Sequence, residues 1–148
     1  MYLDEINFTK SALLKREYSF MNTSLTVNQE EVFVGYRSVI ASITEEEGIC
    51  LCTIYPEAIV AEDFIQYLKK LRSKFKKVPL TLFMDNLQVH RATTVKPWWE
   101  KLEITPLWNV SYSPEFNGIE AVFSKVKRSF CRERLNCLVN KIGFNVER

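Results

Sequence analysis

The chain has 148 residues, 47% apolar and 26% charged, with 20 basic against 18 acidic side chains. That profile describes one globular domain with a full hydrophobic core and excludes disordered and collagen-like chains; no run reaches the roughly eighteen apolar residues of a membrane span. A net charge of +2 leaves the question of a polyanionic partner to local clustering rather than to the total.

Tyr2–Phe8 alternates as a strand, with Tyr2, Asp4, Ile6 and Phe8 on one face and Leu3, Glu5 and Asn7 on the other. Residues 9–34 are polar, carry Lys10, Lys15 and Arg16, show no steady period, and read as a long excursion. Two β-rich runs, 36–43 and 48–54, flank Thr44-Glu45-Glu46-Glu47-Gly48 and predict a hairpin. Ala61, Phe64, Ile65, Leu68, Leu71 and Phe75 recur at helical spacing. Glu62 and Asp63 lie in that helix's first turn and Lys69, Lys70, Arg72 and Lys74 towards its end, as the macrodipole favours. After Pro79, the almost wholly apolar Leu80-Thr81-Leu82-Phe83-Met84 predicts a central strand buried on both faces, ending at Asp85-Asn86. A helical segment follows over 89–101, where Pro97 marks a break or a fresh start, and then a short strand over 103–107. The final helix is predicted from Ser113-Pro114 to about Arg132. The mixed order of strands and helices, without a repeat or a linker, predicts a single α/β domain.

The four glycines, at 35, 48, 118 and 143, are spaced so as to exclude a G-x-G-x-x-G turn, a phosphate loop and a G-x-S-x-G elbow. Cysteines 50, 52, 131 and 137 with the single His90 match no zinc spacing; Cys50 and Cys52 read as buried thiols on one strand face in a reducing, intracellular compartment. Asp4 and Glu5 so near the start oppose a secretory signal.

Three acids break the apolar pattern. Asp4 sits mid-strand among Tyr2, Ile6 and Phe8, and Asp85 ends the most apolar strand, at the carboxyl edge where α/β sheets bind ligands. Glu120 lies about 80° from the centre of a stripe formed by Phe116, Ile119, Phe123, Val126 and Phe130, with Lys127 in line below it. Isolated carboxylates in such places cost several kcal/mol unless paired or neutralised, and three together invite a hard divalent cation such as Mg²⁺. Each acid taken singly also fits a cap or turn residue.

Tyr2-Leu3-Asp4-Glu5, Leu82-Phe83-Met84-Asp85-Asn86 with His90 four positions on, and Tyr112-Ser113-Pro114-Glu115-Phe116-Asn117-Gly118-Ile119-Glu120 together resemble the transposase superfamily of the mariner, Tc1 and IS630 elements. The 34 residues between Asp85 and Glu120 match the Tc1 and IS630 spacing, and the block from Tyr112 to Lys127 is the most specific part. The resemblance implies a ribonuclease-H-like, retroviral-integrase-type mixed five-stranded sheet flanked by helices. It implies that Asp4, Asp85 and Glu120 ligate two Mg²⁺ or Mn²⁺ ions that drive in-line displacement at DNA phosphorus. Asn86, His90 and Asn117 match supporting positions of the family; His90 reads either as catalytic or as the partner that fixes a loop. Glu5 also matches, but alternation turns it away from Asp4, so it is not expected to be a ligand.

The resemblance further implies transposon-end and target DNA as partners, a homodimer, and neither a membrane nor an organic cofactor. The compartment would be the nucleus in a eukaryote or the cytoplasm in a bacterium. Lys125, Lys127, Arg128, Arg132 and Arg134 form one basic cluster and residues 69–77 another; each fits phosphate contacts or a solvated helix flank. The 9–34 excursion, with Arg16, Tyr18 and Phe20, corresponds to where the family places DNA- or partner-contacting loops. Trp98, Trp99 and Trp108 fit core aromatics better than a contact patch. The family commonly has proline at the position of Gly118. Its N-terminal helix-turn-helix modules are expected to be absent, residues 1–148 forming the catalytic domain. The competing reading is an inactive ribonuclease-H-like module that binds DNA or protein without cleaving.

Overall fold

The computed structural model describes residues 1–9, 35–111 and 113–139. Five strands form one sheet in the order β3-β2-β1-β4-β5: β1 Tyr2–Phe8, β2 Arg37–Thr44, β3 Gly48–Tyr55, β4 Leu80–Met84 and β5 Ile104–Trp108. The first three form an antiparallel meander, while β4 and β5 run parallel to β1, giving the expected mixed sheet. Helix α1, Ala61–Lys74, and the short α2, Lys96–Lys101, connect the parallel strands, and α3, Ile119–Val139, follows the last.

Sequence explains the boundaries. The β2–β3 turn closes on Gly48, whose φ of +70° favours a residue without a Cβ. At the start of α1 the Asp63 carboxylate accepts from the Val60 N–H at 3.3 Å, and Glu62 and Asp63 oppose Arg72 and Lys74 across the helix dipole. Pro106 costs β5 a ladder donor, tolerable because β5 is an edge strand.

The strand period divides the core into two layers. Leu3, Ile40, Leu80, Leu82 and Met84 meet Phe64, Tyr67, Leu68 and Leu71 of α1 and Trp99 of α2 on one face. Ile6, Phe8, Val39, Ala41 and Ile43 meet Ile119 and Phe123 of α3 on the other. The buried Tyr67 hydroxyl is satisfied by the Leu51 carbonyl at 3.1 Å and Ser42 Oγ at 2.8 Å. Among the described residues no helix is long and apolar enough to cross a membrane.

Several expectations are corrected. Residues 89–95 are turns rather than helix: successive N–H groups bond three residues back, from His90 to Leu87, Arg91 to Gln88 and Ala92 to Val89, and α2 starts only at Lys96. The last helix does not start at Pro114. A 3₁₀ turn covers Pro114–Phe116, the chain breaks at Asn117-Gly118, and α3 then runs past Arg132 to Val139. Phe116 and Val126 therefore leave the buried stripe and are exposed. β4 is buried on one face only, because α3 packs on β1 and β2 and leaves Thr81 exposed and Phe83 half-buried. Cys50 is buried but Cys52 is exposed, since β3 is an edge strand. Arg134 is buried too, so it does not belong to the exposed basic cluster.

The two layers predict a sharp contrast between aromatic truncations. Phe64→Ala, in the fully buried layer under α1, should cost about 3–5 kcal/mol of unfolding free energy, and Phe116→Ala about 0.5 kcal/mol or less, measured by urea denaturation.

Candidate active site

The site is built on the pairing of β1 with β4. Tyr2 is in register with Phe83, their rings meeting edge-on at 5.6 Å, and the Phe83 N–H donates to the Met1 carbonyl at 2.9 Å. Asp4 follows two residues after Tyr2 within β1, and Asp85 two residues after Phe83, just past the end of β4, close enough for its charge to be felt at Asp4. Asp4 is buried at 8% exposure. Its Oδ1 accepts from the Glu5 N–H at 2.7 Å and its Oδ2 from Asn117 Nδ2 at 3.0 Å. Burial, with the charges of Asp85 and Glu120, pushes its carboxyl up to about 7, against the Glu5 N–H and His90, which act to lower it. Glu120 is exposed in the first turn of α3, where the helix dipole favours a carboxylate, and its N–H donates to the Asn117 carbonyl at 3.0 Å. Asp85 and Glu120 thus both lie within electrostatic reach of Asp4. Among the described residues, however, no three metal-ligating side chains are drawn tightly enough to hold an ion.

His90 is fully buried under the Phe64 ring, 4.5 Å away. Its Nδ1 lies 3.2 Å from Asp85 Oδ1 and its Nε2 3.2 Å from Glu5 Oε1. Burial works against the charged ring, but hydrogen bonds and charge from Asp85 and Glu5 prevail and raise it to about 9, so both ring N–H groups donate at neutral pH. These contacts are the ones the positioning reading of His90 requires, tying Asp85 and the loop after β4 to β1. Asn86 donates to the Asn109 carbonyl at 2.6 Å, and the Asn109 N–H donates to Met84, closing the loop against the end of β5.

Gly118 does not provide left-handed backbone; Gly48 alone does so among the described glycines. It provides room. A Cβ at 118 would stand 3.3 Å from the Tyr2 ring, so the turn that delivers Glu120 rests directly on β1.

Of the expected DNA contacts, Lys125, Lys127 and Arg128 are exposed on α3, while Arg16 falls outside the described residues, as does Tyr112. The 69–77 run is partly occupied within the fold. Lys69 and Lys101 lie 4.1 and 4.9 Å over the Trp98 ring, Arg72 binds the carbonyls of Phe75, Val78 and Glu103, and Lys74 that of Cys50. Trp99 is buried and Trp98 and Trp108 pack against the core, as expected. Two contributors escaped the sequence reading. Asn109 had no motif, whereas Glu5 could have been found from the need of a buried histidine for partners on its own side of β1.

Residues 1–139 match the family described as DDE superfamily endonuclease. The chain belongs to that family. Among solved structures, this DDE endonuclease domain is similar to the Mos1 transposase paired-end complex with left transposon end, at 19% identity and TM-score 0.68 over 86% of this chain and 40% of that one. It is also similar to the Mos1 transposase catalytic domain solved with Raltegravir and Mn, at 15% identity and TM-score 0.66 over 99% and 63%. A chain of the simian T-cell lymphotropic virus intasome, solved with the PP2A regulatory subunit B56 gamma, aligns at 11% identity and TM-score 0.57 over 84% and 36%. These likenesses show the ribonuclease-H-like fold, and the chain spans between 40% and 63% of the length of the matched Mos1 chains. No curated protein matches in sequence.

The two buried groups make the metal-free DDE domain pH-sensitive in one direction. Folded Asp4 keeps, up to about pH 7, a proton that the unfolded chain releases near 3.8, so stability falls as pH climbs between them. The His90 contribution is complete below its unfolded value of 6.5 and is lost as pH rises through about 9. Urea midpoints without metal should therefore drop from pH 5 to pH 9 by the equivalent of about 6 kcal/mol, shared about equally between the two groups, and Asp4→Asn should flatten the part between pH 5 and 7. A flat wild-type profile would contradict both assignments.

Proposed function

We propose that this domain is the catalytic core of a cut-and-paste transposase, a metal-dependent endonuclease and strand transferase acting on DNA. The observation that carries the reading is that the buried Asp4 of β1 feels the charges of both Asp85, just past the end of the neighbouring β4, and Glu120 in the first turn of α3. A carboxyl that burial first, and then the charges of Asp85 and Glu120, push up to about 7 belongs to an oxygen donor set suited to a hard cation, which would offset both the burial and the repulsion. Asp4, Asp85 and Glu120 would hold two Mg²⁺ or Mn²⁺ ions; the solution of the Mos1 catalytic domain with Mn supports this choice of metal.

Bound there, the ions would lower the pKa of a water or 3′-hydroxyl nucleophile and stabilise the leaving oxygen. The chain's own residues prepare the place. Asn117 orients Asp4 through its amide, and His90 with the Leu87 N–H holds Asp85 Oδ1. Glu120 enters from the first turn of α3, and Lys127, Lys125 and Arg128 on the exposed side of that helix would hold backbone phosphates without reading sequence. Arg16 would add a phosphate contact from the excursion after β1. The paired-end Mos1 complex with its transposon end supports DNA as substrate and a homodimer acting on two ends. Acting on such a substrate, the domain would work in a nucleus or a bacterial cytoplasm.

The test is Mn²⁺-dependent nicking of supercoiled DNA. Wild type should nick, and Asp85→Asn and Glu120→Gln should each lose roughly 100-fold or more with unchanged circular dichroism. Nicking retained by Asp85→Asn would overturn the assignment. A folded wild type that neither nicks nor binds Mn²⁺ would favour the module that binds without cleaving.

A further inference from the structure

We propose that Glu5 is a positioning residue of the site, which sets the orientation of Asp85 from the opposite face of the sheet by holding the His90 ring. The inference rests on the reading of Asp85 as a cation ligand. Consecutive residues of β1 point to opposite faces, so Asp4 meets Asn117 on the α3 side while Glu5 meets His90 on the α1 side. Glu5 therefore cannot join Asp4 around one ion, yet it reaches the site through one imidazole.

The geometry makes this link stiff. His90 is fully buried, its two nitrogens each stand 3.2 Å from a carboxylate oxygen on opposite sides, and the Phe64 ring packs 4.5 Å from it. Rotation of the ring would turn a nitrogen towards Phe64 and forfeit a buried hydrogen bond. The Glu5 carboxylate, half-buried, fixes the Nε2 end and leaves Nδ1 aimed at Asp85. Asp85 is then held at two points, its Oδ1 by His90 at 3.2 Å and the Leu87 N–H at 3.3 Å, and its carbonyl by the same Nδ1 at 3.3 Å, which occupies Oδ1 and restricts the carboxylate's orientation. A carboxylate behind a histidine behind a ligand is an outer-shell arrangement that tunes metal affinity without touching the metal.

Mn²⁺ affinity of the 148-residue chain, measured by electron paramagnetic resonance of free Mn²⁺, tests the link. Glu5→Ala should weaken binding by about 10–100-fold, and Glu5→Gln, whose amide still bonds Nε2, should recover to within about 3-fold of wild type. If the alanine variant fails to fold, Glu5→Leu, which keeps the bulk and accepts no hydrogen bond, carries the same expectation. The losses from Glu5→Ala and His90→Gln should not add, the double variant binding as His90→Gln does. Because His90 is the single histidine in the chain, its ring ¹⁵N signals are unambiguous, and both should move in Glu5→Ala. Unchanged affinity in folded Glu5→Ala or Glu5→Leu, or additive losses in the double variant, overturns the proposal while Asp85→Asn still abolishes binding. Mn²⁺ binding unchanged in Asp85→Asn itself overturns the cation site, and this inference with it.

Discussion

Everything in the site depends on one strand pairing. β1 and β4 are parallel neighbours, with Tyr2 opposite Phe83, and that register brings the end of β4, where His90 and the Leu87 N–H hold Asp85, up to Asp4 although 80 residues separate the two acids. A slip of one residue would turn Asp85 to the other face and dissolve the arrangement. The register is guarded from both sides: Leu3, Leu82 and Met84 lock into the layer under α1, and Tyr2 meets Phe83 and lies beneath Gly118 on the other. Packing energy thus holds like charges in a place they would leave if free.

The two sides of β1 do different work for one site. On the α3 side Asn117 and the first turn of α3 present an amide and a carboxylate to Asp4. On the α1 side Glu5 and Phe64 hold the imidazole that meets Asp85. The break at Asn117-Gly118 belongs to the same logic. Asn117 spends its side chain on Asp4, and Gly118 spends its missing Cβ on contact with Tyr2, so the helix that carries Glu120 starts after both.

Much of this was legible in sequence. Pro79 and Asp85 punctuate β4, and its predicted bounds hold to the residue; α1, marked by acids at its start and bases at its end, is found to within one residue. Asp4, Asp85 and Glu120 stood out because each interrupts an apolar pattern, and the alternation of β1 rightly separated Glu5 from Asp4. What escaped depended on tertiary contacts. Val89, Ala92 and Val95 have helical spacing, but the segment forms successive turns in which His90 is held between Glu5 of β1 and Asp85 just past β4. The exposure of Cys52 follows from the outer position of β3, which no local period reveals. Likewise the open face of β4 and the burial of Arg134 follow from where α3 lies and how far it runs.

The central claim is that β1–β4 pairing builds a cation site from these carboxylates, and thermal unfolding with and without Mn²⁺ addresses it most directly. A cation that binds only the folded chain raises its unfolding temperature by mass action, by roughly 2.7 kcal/mol of stabilisation at a hundred times its Kd. The account predicts a Mn²⁺-dependent rise in the wild-type chain that vanishes in Asp4→Asn. An equal rise in that variant would put the metal elsewhere and contradict the account.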